Sequence, residues 1–118
     1  IDLMILGLGA NDMLRGISPT ETEKNLEKII QISKQKNIDV ILAGMIAPTT
    51  HGFSYKKKFD DIYTSLAKKY NLDLIPFLLE GVVLKPELNQ DDGMHPNAKG
   101  ILIISDTLEK SIISFIKK

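Results

Sequence analysis

Three short apolar runs, separated by segments with helical periodicity, constrain the fold of this chain more than any other feature. The runs extend from Leu3 to Leu8, from Ile38 to Ala47 and from Leu72 to Leu79, and none alternates apolar with polar residues. Runs of this length without a period of two are typical of strands covered on both faces, as in parallel sheets. The sequence therefore predicts an α/β domain in which helices connect parallel strands.

Three helices are predicted from the apolar spacing between and after these runs. The first extends from Ser18 to about Lys36, and Ser18 and Glu21 form the pattern of a capping box at its start. The second covers about 54–70 and the third about 97–116. The side chains predicted to be buried are Leu26, Ile29 and Ile30 in the first helix, Phe59, Ile62, Tyr63, Leu66, Ala67 and Tyr70 in the second, and Ile101, Ile104, Leu108, Ile112, Phe115 and Ile116 in the third.

Three parallel strands make a thin sheet for a three-layer α/β/α domain of the flavodoxin-like kind, in which a central strand normally has neighbours on both sides. The chain also begins abruptly, with Ile1 directly before the first apolar run. Two further βα units of roughly 30 residues each would place about 60 residues before Ile1. We therefore expect residues 1–118 to be part of a larger domain.

The composition excludes several classes of function. Lys and Arg total 15 and balance 15 Asp and Glu, and the longest basic run is Lys56–Lys58, so no surface suits nucleic acid. The absence of cysteine excludes a thiol nucleophile and a zinc ribbon. No apolar stretch approaches the roughly 20 residues needed to span a bilayer.

Small molecules are the expected partners. The oligomeric state is left open, and the expected compartment is periplasmic or extracellular if a signal peptide precedes the chain and cytoplasmic otherwise.

Polar residues follow the first predicted strand, at the edge of the sheet where α/β proteins bind their ligands. They are Gly9, Ala10, Asn11 and Asp12. One interpretation is a turn, because Gly, Asn and Asp tolerate left-handed backbone and bond their own backbone. The other is an Asn11 amide that stabilises a developing oxyanion. The residues alone leave both interpretations open.

A second polar cluster, Asp91 to Asn97, lies directly before the last predicted helix. Asp92 precedes His95 by three residues, and a carboxylate near an imidazole is what a Ser-His-Asp general base requires. Alternatively, the acidic residues satisfy unpaired N–H groups at the start of the helix. A third interpretation, with Asp91, Asp92 and His95 as metal ligands, is disfavoured because three ligands within five residues make a poor site.

Together the two clusters resemble the third and fifth sequence blocks of the SGNH (GDSL) hydrolases. The likeness covers essentially all 118 residues, and the further segments that carry it are Asn11-Asp12-x-Leu14-Arg15-Gly16, Pro76-Phe77, Leu84-Lys85-Pro86 and Gln90 to Asn97. These segments resemble the bacterial branch of acyl-thioesterases, lysophospholipases and arylesterases. The resemblance implies that residues 1–118 are the C-terminal portion of one hydrolase domain, acting on an ester or thioester without a cofactor or metal.

The resemblance also implies a role for each site residue. Asn11 would donate its side-chain amide to the oxyanion, His95 would act as general base and then general acid, and Asp92 would orient His95. Gly9 would let the backbone pass close to the acyl group. Phe53, in the loop after the second strand, would form a wall of the acyl pocket.

The nucleophile of this family, the Ser of a Gly-Asp-Ser block after its first strand, has no counterpart in the sequence. Seven serines are present, and each is predicted to lie in a helix or at a helix start: Ser18, Ser33, Ser54, Ser65, Ser105, Ser111 and Ser114. We therefore expect the nucleophile upstream of Ile1 and the chain by itself to be inactive. The alternatives are a non-catalytic flavodoxin-like binding domain and a truncated gene product.

Overall fold

The computed structural model describes all of residues 1–118, which form two compact units, Ile1–Phe77 and Leu78–Lys118. The first unit contains strands β1 (Leu3–Leu6), β2 (Asp39–Ala43) and β3 (Asp73–Ile75), and helices α1 (Ala10–Arg15), α2 (Pro19–Gln35) and α3 (Phe53–Tyr70). The second unit contains a 3₁₀ turn (Pro86–Leu88) and helix α4 (Ala98–Ile116). The predicted succession of strands and helices is confirmed, and α1 is an additional short helix.

The three strands are parallel and lie in the order β1-β2-β3. Ile41 of β2 pairs with Ile5 on one side and with Asp73 on the other. Four consecutive residues of β2, from Val40 to Ala43, are at most 4% exposed. Because successive side chains in a strand point to opposite faces, both faces of β2 are covered, as its unalternating pattern predicts. β1 is an edge of this sheet, and its Leu3, Met4 and Ile5 are only half-buried.

Each strand is shorter than its apolar run. β1 ends at Leu6 because the chain turns toward α1 through Gly9, whose φ is 122°. β3 ends at Ile75 because Pro76 has no N–H to donate to a neighbouring strand. An apolar run therefore marks a strand and also the residues that carry the chain from the strand to the next loop. After β2 this continuation is largely buried, with Met45 and Ala47 at 6% and 2% exposure, whereas Leu8 after β1 is 55% exposed.

Helix α2 begins one residue after Ser18, as predicted, but the capping box is not formed. The Ser18 side chain makes no capping hydrogen bond. Its backbone carbonyl instead accepts the N–H groups of Glu21 and Thr22, at 3.0 and 3.2 Å. The N–H group that a capping box would bond is thereby already satisfied. Leu26 and Ile30 are buried as predicted, and Ile29 is half-buried.

Helix α3 confirms the clearest helical pattern in the sequence. Five of its predicted core residues are at most 7% exposed, and Tyr70 at its end is half-buried: the five are Phe59, Ile62, Tyr63, Leu66 and Ala67. α3 packs on α2, and Lys69 pairs with Glu27 across the two helices at 3.1 Å. Because both partners of this ion pair contact solvent, the apolar contacts hold the helices together.

Helix α4 departs from the predicted burial pattern. Only Gly100 of this helix is buried. Of the residues predicted to be buried, Ile101 and Ile116 are 52% and 71% exposed, and the others are half-buried: Ile104, Leu108, Ile112 and Phe115. Apolar spacing shows which residues share one side of a helix, but burial requires a packing partner. The 3₁₀ turn is the only other regular element of the second unit, and it contacts the helix at Gly100.

None of the helices has both the length and the apolar character that a membrane-spanning helix requires.

Asp60 of α3 attaches the loop that follows β2. Its carboxylate accepts the buried backbone N–H of Ala47 at 2.7 Å and pairs with Lys56, whose ammonium group donates to the Ala47 carbonyl at 2.9 Å. Asp60→Ala should lower the free energy of unfolding by about 1–3 kcal/mol, because it leaves a buried N–H without a partner. Denaturant unfolding measures the change.

The neighbouring Asp61 provides the matched control for this substitution. It pairs with Lys57 on the surface, where the two side chains are 59% and 80% exposed. Asp61→Ala should therefore change the free energy of unfolding by less than about 0.5 kcal/mol. Equal losses in the two variants would contradict the assignment of Asp60 as the attachment point.

Candidate active site

Asn11 lies in the first turn of α1, in the first unit of the chain. The backbone of Asn11 and Asp12 is helical, so the interpretation of this cluster as a simple turn is wrong. The helix starts because Gly9 adopts a positive φ and its carbonyl accepts the N–H of Met13 at 3.0 Å. The Asn11 side chain is exposed, and its amide is not engaged in a hydrogen bond within the chain.

Side-chain hydrogen bonds from Thr22, Tyr63 and Tyr55 hold this short helix in place, and the Tyr55 hydroxyl also lies 3.5 Å from the Asp12 carbonyl. Thr22, only 1% exposed, donates its hydroxyl to the Asp12 carboxylate at 2.8 Å. Tyr63 donates to the carbonyl of Leu8 at 2.8 Å, and Tyr55 donates to the carbonyl of Ile17 at 2.7 Å. Burial, followed by the nearby Asp12 carboxylate, raises the pKa of both tyrosine hydroxyls above its ordinary value. Both hydroxyls therefore remain protonated donors at neutral pH.

Gly9 has a packing requirement of its own. A Cβ at this position would overlap the Tyr63 hydroxyl and approach Phe59 at 3.5 Å, and the φ of 122° disfavours any side chain. These contacts within the chain are sufficient to require a glycine at this position, whether or not a substrate binds beside it. The role of Gly9 beside an acyl group remains a prediction, and so does that of Phe53, which begins α3 and is 79% exposed.

In the second unit, Asp92 and His95 form a close pair. Asp92 Oδ2 lies 2.6 Å from His95 Nδ1, and Asp92 Oδ1 accepts the backbone N–H groups of Met94 and His95 at 2.9 and 3.0 Å. Gly93, with φ 69°, makes the tight turn that brings the two side chains together. The predicted proximity of Asp92 and His95 is thus present in the structure, with both side chains open to solvent.

The hydrogen bond from His95 lowers the pKa of Asp92 from 3.8 to about 2, and the two backbone N–H groups contribute further. A lowered pKa means that these contacts favour the ionised carboxylate. Their contribution is present above about pH 4 and is lost as the pH falls through about 2. Since an ionised carboxylate only accepts hydrogen bonds, a neutral His95 must carry its proton on Nδ1, and Nε2 is then the basic nitrogen.

Backbone and amide hydrogen bonds hold the loop around this pair. Gln90 N–H donates to the His95 carbonyl at 2.7 Å, and the Asn97 amide donates to the Glu87 carbonyl at 2.9 Å. Asn97 also caps α4, because its side-chain oxygen accepts the N–H of Gly100 at 3.0 Å. The cap that the alternative interpretation assigned to the acidic residues is therefore provided by Asn97. No group of three or more His, Cys, Asp or Glu residues is arranged to hold a metal ion.

The seven serines all lie in helices or at a helix start, as the sequence predicts: Ser18 precedes α2, Ser33 is in α2, Ser54 and Ser65 are in α3, and Ser105, Ser111 and Ser114 are in α4. His51, in the loop before α3, is exposed, and its ring centroid lies 5.2 Å from that of Tyr55. None of these serines stands at a strand end.

Comparison with known proteins shows the family. The GDSL-like Lipase/Acylhydrolase family matches residues 2–101. The Thioesterase 1/protease 1/lysophospholipase L1 of Escherichia coli K12 is 39% identical over 109 residues, which cover 92% of this chain and 52% of that protein. The Arylesterase of Vibrio mimicus is 36% identical over 115 residues, covering 98% of this chain and 58% of that protein. The chain belongs to the GDSL-like lipase/acylhydrolase family.

Solved structures agree with this assignment. The psychrotrophic esterase EstA from Pseudoalteromonas sp. superposes with a TM-score of 0.90 and 30% identity, over 97% of this chain and 62% of that one. The parallel sheet with its connecting helices is thus the fold found in esterases of this family. The chain spans about half the length of the curated relatives that it matches.

Sequence reasoning missed the residues that hold α1. Tyr63 was predicted only as a core residue, and Tyr55 and Thr22 were not singled out. The predicted burial of Tyr63 was a usable signal, because a buried tyrosine hydroxyl requires a hydrogen-bond partner. Which carbonyl it bonds depends on the packing of α3, and the two partners are 55 residues apart in the sequence.

Proposed function

We propose that the full-length protein is a serine hydrolase that cleaves carboxylic esters or thioesters. This chain contributes the general base His95, its orienting carboxylate Asp92 and the oxyanion donor Asn11, and the nucleophilic serine is outside it. The observation that carries the proposal is the 2.6 Å hydrogen bond between His95 Nδ1 and an ionised Asp92. Membership of the GDSL-like lipase/acylhydrolase family supports it.

We infer the substrate class from the names of the relatives of this chain. Two relatives carry the names Thioesterase 1/protease 1/lysophospholipase L1 and Arylesterase. Thioesterases, lysophospholipases and arylesterases all cleave an acyl group from an oxygen or sulfur leaving group. We propose an acyl ester or thioester of a small molecule as the substrate. No part of this chemistry requires a metal or cofactor, because the base, the nucleophile and the oxyanion donors are protein groups.

The proposed reaction has two steps, formation of an acyl-enzyme and its hydrolysis. The serine oxygen attacks the carbonyl carbon while His95 Nε2 takes the hydroxyl proton, and the carbonyl electron pair moves to oxygen. Asn11 and backbone N–H groups stabilise this oxyanion. Its collapse breaks the bond to the leaving group, which receives the proton from Nε2. Water then attacks the acyl-enzyme with His95 again as base, and the acid and free serine are released.

Asn11→Ala in the full-length protein should lower kcat by about 10²- to 10³-fold, the usual cost of removing one oxyanion donor. Steady-state hydrolysis of a p-nitrophenyl ester and of an acyl thioester measures the loss. The exposed Asn11 side chain makes no hydrogen bond that supports the fold, so the melting temperature should change little. An Asn11→Ala enzyme with unchanged kcat would contradict the assignment of Asn11 as an oxyanion donor.

A serine-directed fluorophosphonate probe separates a hydrolase from a non-catalytic binding domain. The EstA relative is described as inhibited by monoethylphosphonate, a compound of the same phosphonate class. The full-length protein should be labelled once, at a serine outside residues 1–118, and the 118-residue chain should not be labelled. Absence of labelling in the full-length protein would favour the binding-domain alternative.

A further inference from the structure

Helix α3 presents a row of three aromatic side chains to the segment that contains Asn11. Tyr55, Phe59 and Tyr63 are spaced by four residues and therefore lie on one side of the helix. The ring centroids of Tyr55 and Phe59 are 6.1 Å apart and those of Phe59 and Tyr63 are 5.7 Å apart. Phe59 and Tyr63 are at most 2% exposed, so packing holds the two rings in place.

The two tyrosines of this row bond the two ends of the α1 segment. Leu8, whose carbonyl accepts from Tyr63 at 2.8 Å, directly precedes Gly9, and Ile17, whose carbonyl accepts from Tyr55 at 2.7 Å, directly follows Gly16. The segment Gly9–Gly16 is therefore tied to α3 at both ends by hydroxyl groups two helical turns apart.

External support of this kind is needed because α1 has only six residues. A helix so short is unstable by itself, since nucleation fixes several residues for a single hydrogen bond. Asn11 is exposed in its first turn, and its side chain makes no hydrogen bond within the chain that would fix the helix. The orientation of the Asn11 amide thus depends on where the α1 segment is held, by Tyr63 at Leu8, by Tyr55 at Ile17 and by Thr22 at Asp12.

We propose that Tyr63, together with Tyr55, is a positioning residue that holds the Asn11 amide where the substrate oxyanion develops. This inference rests on the proposed role of Asn11. Neither tyrosine is required to touch the substrate, because each acts through the backbone of the α1 segment.

Tyr63→Phe in the full-length protein removes one hydroxyl and retains the ring against Phe59. A catalytic group misplaced by about 1 Å can lose about 10²-fold in rate, so kcat should fall by about 10- to 100-fold with KM unchanged. Tyr70→Phe is the matched control: Tyr70 lies on the same helix, and its hydroxyl accepts from Gln31 at 3.0 Å on the surface. It should retain the kcat of the unsubstituted protein.

A double-mutant cycle distinguishes positioning from a general structural role. If Tyr63 acts through Asn11, Tyr63→Phe should lower kcat by no more than about twofold when Asn11 is already alanine. Equal effects of Tyr63→Phe in the two backgrounds would overturn the inference. Should Tyr63→Phe fail to fold, the same cycle with Tyr55→Phe carries the test, because Tyr55 is only half-buried.

The outcomes also separate this inference from the function on which it rests. If Asn11→Ala lowers kcat and Tyr63→Phe does not, the positioning role is wrong and the proposed oxyanion donor stands. If Asn11→Ala leaves kcat unchanged, the assignment of Asn11 fails, and the positioning role fails with it.

Discussion

His95→Ala in the full-length protein should lower kcat by about 10⁶-fold, the largest loss expected of any substitution in this chain. In the proposed mechanism the imidazole takes the serine proton and then protonates the leaving group, and without it both proton transfers lose their catalyst. The loss should appear in kcat rather than in KM, because the proposed role of His95 is to move the proton in the transition state. Single-turnover hydrolysis of a p-nitrophenyl ester measures it.

Two further measurements support the interpretation of that loss. Added imidazole should restore part of the activity of His95→Ala, because the His95 side chain is 57% exposed and a small base can enter its place. His51→Ala, which removes the only other histidine, should retain most of the activity. A His95→Ala enzyme that hydrolyses esters at the original rate would exclude His95 as the base.

Asp92→Asn should lower kcat by about 10⁴-fold, a loss caused by the wrong histidine tautomer. The backbone N–H groups of Met94 and His95 both donate to Asp92 Oδ1, so an asparagine must keep its oxygen at that position. Its amide nitrogen then takes the place of Oδ2, 2.6 Å from His95 Nδ1, and donates to it. Nε2 consequently carries the proton and cannot act as the base.

The pH dependence of Asp92→Asn separates a tautomer effect from a loss of structure. A fixed wrong tautomer predicts that rising pH, with hydroxide as the base, recovers part of the activity. Asp91→Asn is the matched control in the same loop and should leave kcat unchanged. Full activity of Asp92→Asn at pH 7 would contradict the orienting role.

Asp92 and His95 could be paired from the sequence because their geometry is local. Three residues separate them, and Gly93 supplies the positive φ of the intervening turn. Asn11 could be placed near the end of the first strand because it follows the first apolar run closely in the sequence. Its helical backbone conformation was not predicted. The capping box at Ser18 failed because the backbone carbonyl competed for the same N–H group, a choice that depends on small differences in local geometry.

The sequence by itself determined the parallel α/β class, the succession of strands and helices, and the residues of the Asp92–His95 pair. Each depends on periodicity or on contacts between residues close in the chain. Only the tertiary structure decided where each strand ends, which side of α4 is left exposed, and how α1 is held. These features arise from contacts between residues distant in sequence, such as Tyr63 and Leu8, whose hydrogen bond exists only once α3 is packed beside the loop after β1.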